Sequence, residues 1–180
     1  MLLVVDNGSV YTKSLLEFLT EKNTLHETIT FDKIVPTGLS KYSALILSGR
    51  TKNNPLMNVI NSKIIKHAVT EKKPLLGICY GAEILALTLG GTLKKMDQTY
   101  KGNQEIEILK PNPLCSGKIN VFESHSYLIS KLDTTFTQIA KSDVCDFEII
   151  QYDKLNIFGT QFHPEMSIDG KLLLKKFVLI

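Results

Sequence analysis

The chain has 180 residues, the size of one folded unit, and its 43% hydrophobic and 22% charged content excludes an intrinsically disordered chain. Its 21 basic and 18 acidic residues leave a net +3, and the lysines are scattered, so no clustered basic footprint for nucleic acid is present. No apolar run approaches the length of a membrane span, so neither nucleic acid nor membrane is an expected partner.

The start, MLLVVDNG, is apolar but short. It lacks a basic lead and meets Asp6 at once, so it reads as a first strand and not as an export signal. Asn7-Gly8-Ser9 follows as a loop with a candidate helix cap, and Ser14–Lys22 carries apolar residues at helical spacing. ETITF is a weak second strand. Ser43–Gly49 is a third, buried and closed by glycine. Asn58–Lys73 has a helical stripe through Val59, Ile60, Ile64, Ile65 and Ala68, with His67 read as a surface histidine. PLLGI is the fourth strand, AEILALTL the helix after it, and Gly90-Gly91 its C-terminal cap. Beyond Gly91 the pattern turns strand-like, through QEIEIL, KINVF, FTQIA, FEIIQ and NIFGTQF. Asp169-Gly170 opens a last helix. Apolar strands separated by helices predict an α/β fold. The expectation is a single domain over residues 1–180, with a mostly parallel central sheet covered by helices on both faces and a strand-rich C-terminal half.

Three cysteines, Cys79, Cys115 and Cys145, make an odd count with no metal-type spacing. Free thiols in a reducing cytosol are expected, hence a cytoplasmic location with no metal and no cofactor. Cys79 stands where the fourth strand meets its helix, inside Gly77-Ile78-Cys79-Tyr80-Gly81. That is the G-x-S-x-G elbow with sulfur in place of the hydroxyl, at a strand end where α/β sheets build sites. The helix N-terminus favours a thiolate there, and the Tyr80 backbone N–H is placed to meet an oxyanion. Taken alone, Cys79 reads equally well as a buried structural cysteine. NIFGTQFHPEMS changes the balance. His163 ends a buried strand, and Glu165, held two residues on by a proline, is placed to orient it. A thiol, a base and a carboxylate make up a triad.

The motifs LLGICYGAE with its following LGG, SHS at Ser124–Ser126, and GTQFHPE resemble those of the class I (triad) glutamine amidotransferases over nearly the whole chain. The resemblance implies hydrolysis of L-glutamine to glutamate and ammonia, with Cys79 as nucleophile, His163 as base and Glu165 as its partner. It implies oxyanion donors at Tyr80 and at Gly49 or Arg50. It also implies that His125, Ser126 and Tyr127 belong to a loop holding the α-amino and carboxylate groups of glutamine. Two positions depart from the pattern. The loop after the third strand reads Gly49-Arg50-Thr51 where the family has Gly-Gly-Pro or Gly-Pro-Gly. Glu83 replaces a substrate-contacting glutamine, either as a tolerated exchange or as a change in the substrate group that is welcomed.

Such domains pass ammonia to a synthetase, so a separate ammonia-accepting subunit is implied. The segment from Gly90 to Ile106, with FESHS, is most similar to the glutaminase subunits of GMP synthase, whose partner is an ATP-pyrophosphatase subunit. SHSY is instead similar to anthranilate and aminodeoxychorismate synthase components. The alternatives from other classes are a free-standing cysteine hydrolase of γ-glutamyl compounds and a catalytically silent binding subunit.

Overall fold

The computed structural model describes all residues, 1–180, and places nine strands in one sheet of order β2-β1-β3-β4-β9-β8-β7-β5-β6. β1 (Leu2–Asp6), β2 (His26–Thr30), β3 (Ala44–Leu47), β4 (Leu75–Ile78) and β9 (Ile157–Thr160) run parallel. β8 (Ile149–Tyr152), β7 (Phe136–Lys141), β5 (Thr92–Ile108) and β6 (Lys118–Lys131) extend the sheet antiparallel. The sheet is thus mixed, parallel in its first half and antiparallel in its second.

Alternation along the parallel strands explains the two helical layers. Leu2 and Val4 face one way and pack with Leu15, Phe18 and Leu19 of α1 (Thr12–Glu21) and Leu173, Leu174 and Phe177 of α4 (Ile168–Phe177). Leu3 and Val5 face the other way. They pack with Met57, Ile64 and Ile65 of α2 (Pro55–Thr70) and Leu85 of α3 (Tyr80–Thr88). A strand buried on both faces has no polar side, which is why LLVVD reads as a continuous apolar run. No helix is long and apolar enough to cross a membrane.

Several boundaries move, each for a local reason. Helix α2 begins at Pro55, ahead of the periodic stripe, because the Asn54 side chain accepts from the Leu56 and Met57 N–H groups and proline suits the first helical position. α3 ends as expected: Gly90 takes φ +96° and the Gly91 N–H donates to the Ala86 carbonyl at 2.7 Å, a Schellman closure. The β2–β3 connection carries no α-helix, only 3-10 turns at Phe31–Lys33 and Pro36–Lys41.

The largest difference is β5, which starts at Thr92 and runs 17 residues. Its first half, TLKKMDQTY, has no apolar alternation because it forms a largely exposed ribbon with β6, held by backbone pairing. In that ladder Tyr100 pairs with His125 and Lys101 with Ser124. Ser124–Tyr127, expected in a loop, therefore lies within strand β6. Cys115 and Cys145 lie in irregular segments after β5 and β7, and both are buried.

Candidate active site

The topology brings three loops together. β4 lies between β3 and β9, all parallel, so the chain leaving β4 at Cys79 is flanked by the chain leaving β3 at Ser48–Arg50 and that leaving β9 at His163. Cys79 takes φ +51° and ψ −105°, a conformation that non-glycine residues enter only under strain of about 1–3 kcal/mol. Its neighbours show why glycine is required on both sides. A Cβ on Gly77 would stand 2.4 Å from the Gly81 backbone, and one on Gly81 would stand 2.4 Å from the Leu47 carbonyl oxygen. The elbow is held from below by the Cys79 N–H, which donates to the Thr160 carbonyl at 2.7 Å.

Burial pushes the Cys79 thiol well above its ordinary value, and the Glu83 carboxylate pushes it further. The Tyr80 N–H pulls it back, while Glu165 and Glu123 add to the rise. The helix N-terminus, expected to favour a thiolate, is opposed by burial and by these carboxylates, which hold the sulfur toward its thiol form. Such a nucleophile needs a base.

His163, which lines the same cleft, is the candidate. Its Nδ1 lies 2.8 Å from Glu165 Oε1, with both side chains almost wholly buried. A carboxylate oxygen accepts, so Nδ1 carries the proton and Nε2 presents its lone pair. The His163 N–H donates to the Phe122 carbonyl at 2.8 Å, and the Tyr11 ring packs 4.5 Å away, so the imidazole is fixed on several sides.

The loop after β3 is equally constrained. The Ser48 hydroxyl donates to the Gly49 carbonyl at 2.9 Å and accepts from the Asn7 N–H at 2.9 Å. Asn7 Nδ2 donates to the Ser48 carbonyl, and the Asn7 and Asn61 side chains donate to each other. With the Gly49 carbonyl turned toward Ser48, a planar trans peptide directs the Arg50 N–H the opposite way. Neither the Gly49 nor the Arg50 N–H has a partner within the chain, the state expected of donors kept for a ligand.

A cleft of about 610 Å3 opens over these groups. Eight of the ten expected site residues line it: Cys79, Tyr80, Glu83, Arg50, His125, Ser126, Tyr127 and His163. Gly49 and Glu165 stand behind His163, against its ring carbon and its Nδ1.

Residues 3–179 match the family model for glutamine amidotransferase class-I. The chain belongs to that family. It is 33% identical to a glutamine-hydrolyzing GMP synthase subunit from Pyrococcus furiosus over 190 aligned residues, covering 100% of this chain and 98% of the relative. It is 31% identical to the longer GMP synthase from Flavobacterium psychrophilum, where 98% of this chain covers 35% of the relative. A crystal structure of a candidate GMP synthase subunit from Thermoplasma acidophilum superposes with a TM-score of 0.87 at 27% identity, covering 98% of this chain and 91% of that one.

The two departures of this amidotransferase from the family pattern turn out to be neighbours. Arg50 Nη2 lies 3.9 Å from Glu83 Oε2, and the guanidinium stacks over the Tyr80 ring with Cζ 4.2 Å from its centroid. Arg50 Nη1 donates to Asn53 and Asn58, and the Tyr80 hydroxyl donates to Asn58 at 2.8 Å. Burial pushes the Glu83 carboxyl up, while Arg50, then Gln161, His125 and His163, pull it down. Sequence reasoning treated the two positions separately. A guanidinium and a carboxylate both replacing neutral groups in one site was the available signal that they pair.

His125 commits one ring nitrogen to a hydrogen bond within the protein, and its Nε2 makes none. Its Nδ1 donates to the Tyr127 carbonyl at 2.8 Å, and its Nε2 stands 3.0 Å from Glu123 Oε2. Ser126 shares a 2.7 Å hydroxyl contact with Thr99. Tyr11 and Ser124 were missed: the Tyr11 hydroxyl donates to Ser124 Oγ at 3.3 Å, and the Ser124 carbonyl lies 3.8 Å from Cys79 Sγ. Tyr11 sits on a segment without local motif character, while Ser124 opens the SHS motif but reaches Cys79 and Tyr11 only through the fold.

Proposed function

We propose that this chain hydrolyses L-glutamine to glutamate and ammonia through Cys79, His163 and Glu165, and delivers the ammonia to a separate synthetase of the GMP synthase type. The observation that carries the reading is the strained elbow cysteine flanked by the Nδ1–H···carboxylate pair of His163 and Glu165. The full-length likeness to the Pyrococcus furiosus GMP synthase component supports the pathway.

His163 Nε2 takes the Cys79 proton as sulfur attacks the γ-amide carbon. The carbonyl electron pair moves onto oxygen, which accepts from the Tyr80 and Arg50 N–H groups. Collapse of this adduct breaks the C–N bond, and the imidazolium returns its proton to the departing nitrogen, which leaves as ammonia. Water, deprotonated by His163, then attacks the thioester. Sulfur leaves as thiolate, regains the proton, and glutamate is released. Glu165 holds the imidazole in the tautomer that accepts from sulfur and stabilises the imidazolium.

The test is recovery of the native chain with its bound synthetase, followed by measurement of GMP formed from glutamine by the reconstituted pair. GMP formation that is lost with Cys79→Ala supports the reading. A chain that turns over γ-glutamyl peptides rapidly with no partner rejects it in favour of a free-standing hydrolase.

A further inference from the structure

Glu83 and Arg50 are joined by a contact too long for a hydrogen bond. At 3.9 Å the pair is an ion pair with unused donors and an unused acceptor. Arg50 Nη1 is committed to Asn53 and Asn58, but its Nε and Nη2 donate to nothing in the chain. Glu83 Oε1 accepts from Gln161 at 3.4 Å, while Oε2 has no hydrogen-bond donor and, with Arg50, borders the cleft. A buried carboxylate and guanidinium left in this state leave hydrogen-bonding capacity unfilled.

Their position relative to the nucleophile is set by the helix. Glu83 is four residues beyond Cys79, about 6 Å of helical rise, and helical side chains lean back toward the N-terminus. Its carboxylate therefore lies over the turn that begins at the sulfur. An extended glutamine side chain separates the amide carbon from the α-nitrogen by about 5 Å, by ordinary bond lengths. A γ-amide over Cys79 thus brings an α-amino acid head to the height of Glu83 and Arg50.

We propose that Arg50 and Glu83 form a specificity-determining pair that opens around the zwitterionic head of the substrate, with Glu83 taking the α-ammonium and Arg50 the α-carboxylate. The inference rests on the glutaminase reading of the same cleft. It places the discrimination between glutamine and γ-glutamyl compounds blocked at either end on these two side chains. It also ties recognition to chemistry. The Cys79 thiol is faced by Glu83 on its own helix, by His163 and Glu165 after β9, by Glu123 and His125 on β6, and by Arg50 after β3. Of the carboxylates among them, Glu83 opposes ionisation of the sulfur most. An ammonium bound to Glu83 cancels that field, so the sulfur becomes easier to ionise when the correct head is seated.

The experiment measures protection of Cys79 from alkylation by iodoacetamide, which needs no turnover. The probes are L-glutamine, 4-carbamoylbutanoate (no α-amine) and 4-aminobutanamide (no α-carboxylate). Wild type should be protected by glutamine at concentrations ten- to a hundredfold below those needed with either truncated amide, the range a charged hydrogen bond commands. Glu83→Gln should lose the preference over 4-carbamoylbutanoate while keeping that over 4-aminobutanamide, and Arg50→Gln should do the reverse. Unliganded Cys79 should alkylate faster at a given pH in Glu83→Gln. The double variant Arg50→Gln/Glu83→Gln, which leaves no unpaired charge, should lose both preferences and guards against a single variant that folds poorly. Unchanged preferences in all variants, with glutamine still protective, would overturn the proposal. So would tighter binding of all three amides by Glu83→Gln, which would show that the pair blocks the cleft. Failure of glutamine to protect even the wild type, with no ammonia released alongside a synthetase, would instead overturn the glutaminase reading and this inference with it.

Discussion

Gly49→Ala isolates catalysis from folding. The backbone at Gly49 lies outside the left-handed region, so alanine is free to adopt it. Its Cβ, however, would stand 2.8 Å from His163 Cε1 and 3.3 Å from Ser9 Oγ. Ordinary carbon contacts begin near 3.4 Å, so the imidazole must retreat by about 0.6 Å. It has little room to do so, with Nδ1 tied to Glu165 at 2.8 Å and the Tyr11 ring packed against it. Displacing a catalytic base by a sizeable fraction of an ångström should lower kcat about 10- to 100-fold, since a 1 Å misplacement costs about 10²-fold. The added methyl meets side-chain atoms and should cost stability only about 1 kcal/mol. Gly81→Ala is the contrasting control: its Cβ meets the Leu47 carbonyl oxygen at 2.4 Å, a backbone atom that has no rotamer to change. There the expected loss is stability, about 3 kcal/mol or more. Ammonia release at saturating glutamine with the synthetase present gives kcat, and thermal unfolding gives stability. A Gly49→Ala protein with kcat within twofold of wild type, or one as destabilised as Gly81→Ala, would refute the placement of His163 against this loop.

A glutamine-like electrophile should label Cys79 alone, because of the three buried cysteines only Cys79 lines the cleft; equal labelling of all three would remove the case for one activated thiol. Cys79→Ala should abolish glutaminase activity with little change in melting temperature, and retained turnover would sink the mechanism. His163→Ala should lower kcat on the order of 10⁶-fold and Glu165→Gln on the order of 10⁴-fold, the ordering seen when a base and its orienting acid are removed from a triad; an unchanged Glu165→Gln rate would make the carboxylate structural. Glu123, fully buried beside Glu148, has its carboxyl pushed up by burial to about 7. The folded state therefore keeps a proton that the unfolded chain gives up from about pH 4.5 upward, so this contribution to stability is present at low pH and lost as pH rises through 7. Glu123→Gln should thus gain on wild type across that window, by up to about 3 kcal/mol in chemical denaturation, and coincident pH–stability curves would refute it. Glu148, pushed up by burial and by Glu123, is relieved by the same substitution, so the difference curve reports the buried carboxyl pair.

The legible parts of the chain were those where local physics and fold agree. The mainly apolar runs LLVVD, SALIL and PLLGI marked the parallel core because strands buried on both faces have no polar side. The elbow was legible because its two glycines answer backbone contacts that no side chain survives. His163 and Glu165 were legible because two residues of spacing across a proline suffice for the 2.8 Å contact. The β5–β6 ribbon was not, since an exposed ladder rests on backbone hydrogen bonds and leaves no hydrophobic period to read. Nor were the long-range partners: Tyr11 meets Ser124 across 113 residues, and Asn7 meets Asn61 across 54. Side chains that matter through such contacts carry no local signature.

The electrostatics of the site set the chemistry in order. A glutaminase that feeds ammonia to a partner gains from a nucleophile that stays quiet when nothing is bound. Here the quiet state has physical causes: Cys79 is buried, and Glu83 opposes its ionisation more strongly than the Tyr80 N–H assists it. Arg50, which lies 3.9 Å from Glu83 in the empty cleft, also carries a backbone N–H with no partner in the chain. Its guanidinium is anchored on Tyr80, Asn53 and Asn58, and its peptide is fixed through Gly49 and Ser48. On the proposed mechanism, a ligand or partner that draws the guanidinium away from Glu83 acts on the residue whose own N–H would meet the tetrahedral adduct. In the usual family loop a glycine or proline at this position has no such side chain. Arginine at this position adds a charge to the cleft that the family loop lacks, and the carboxylate at Glu83, 3.9 Å away, is what offsets it in the empty protein.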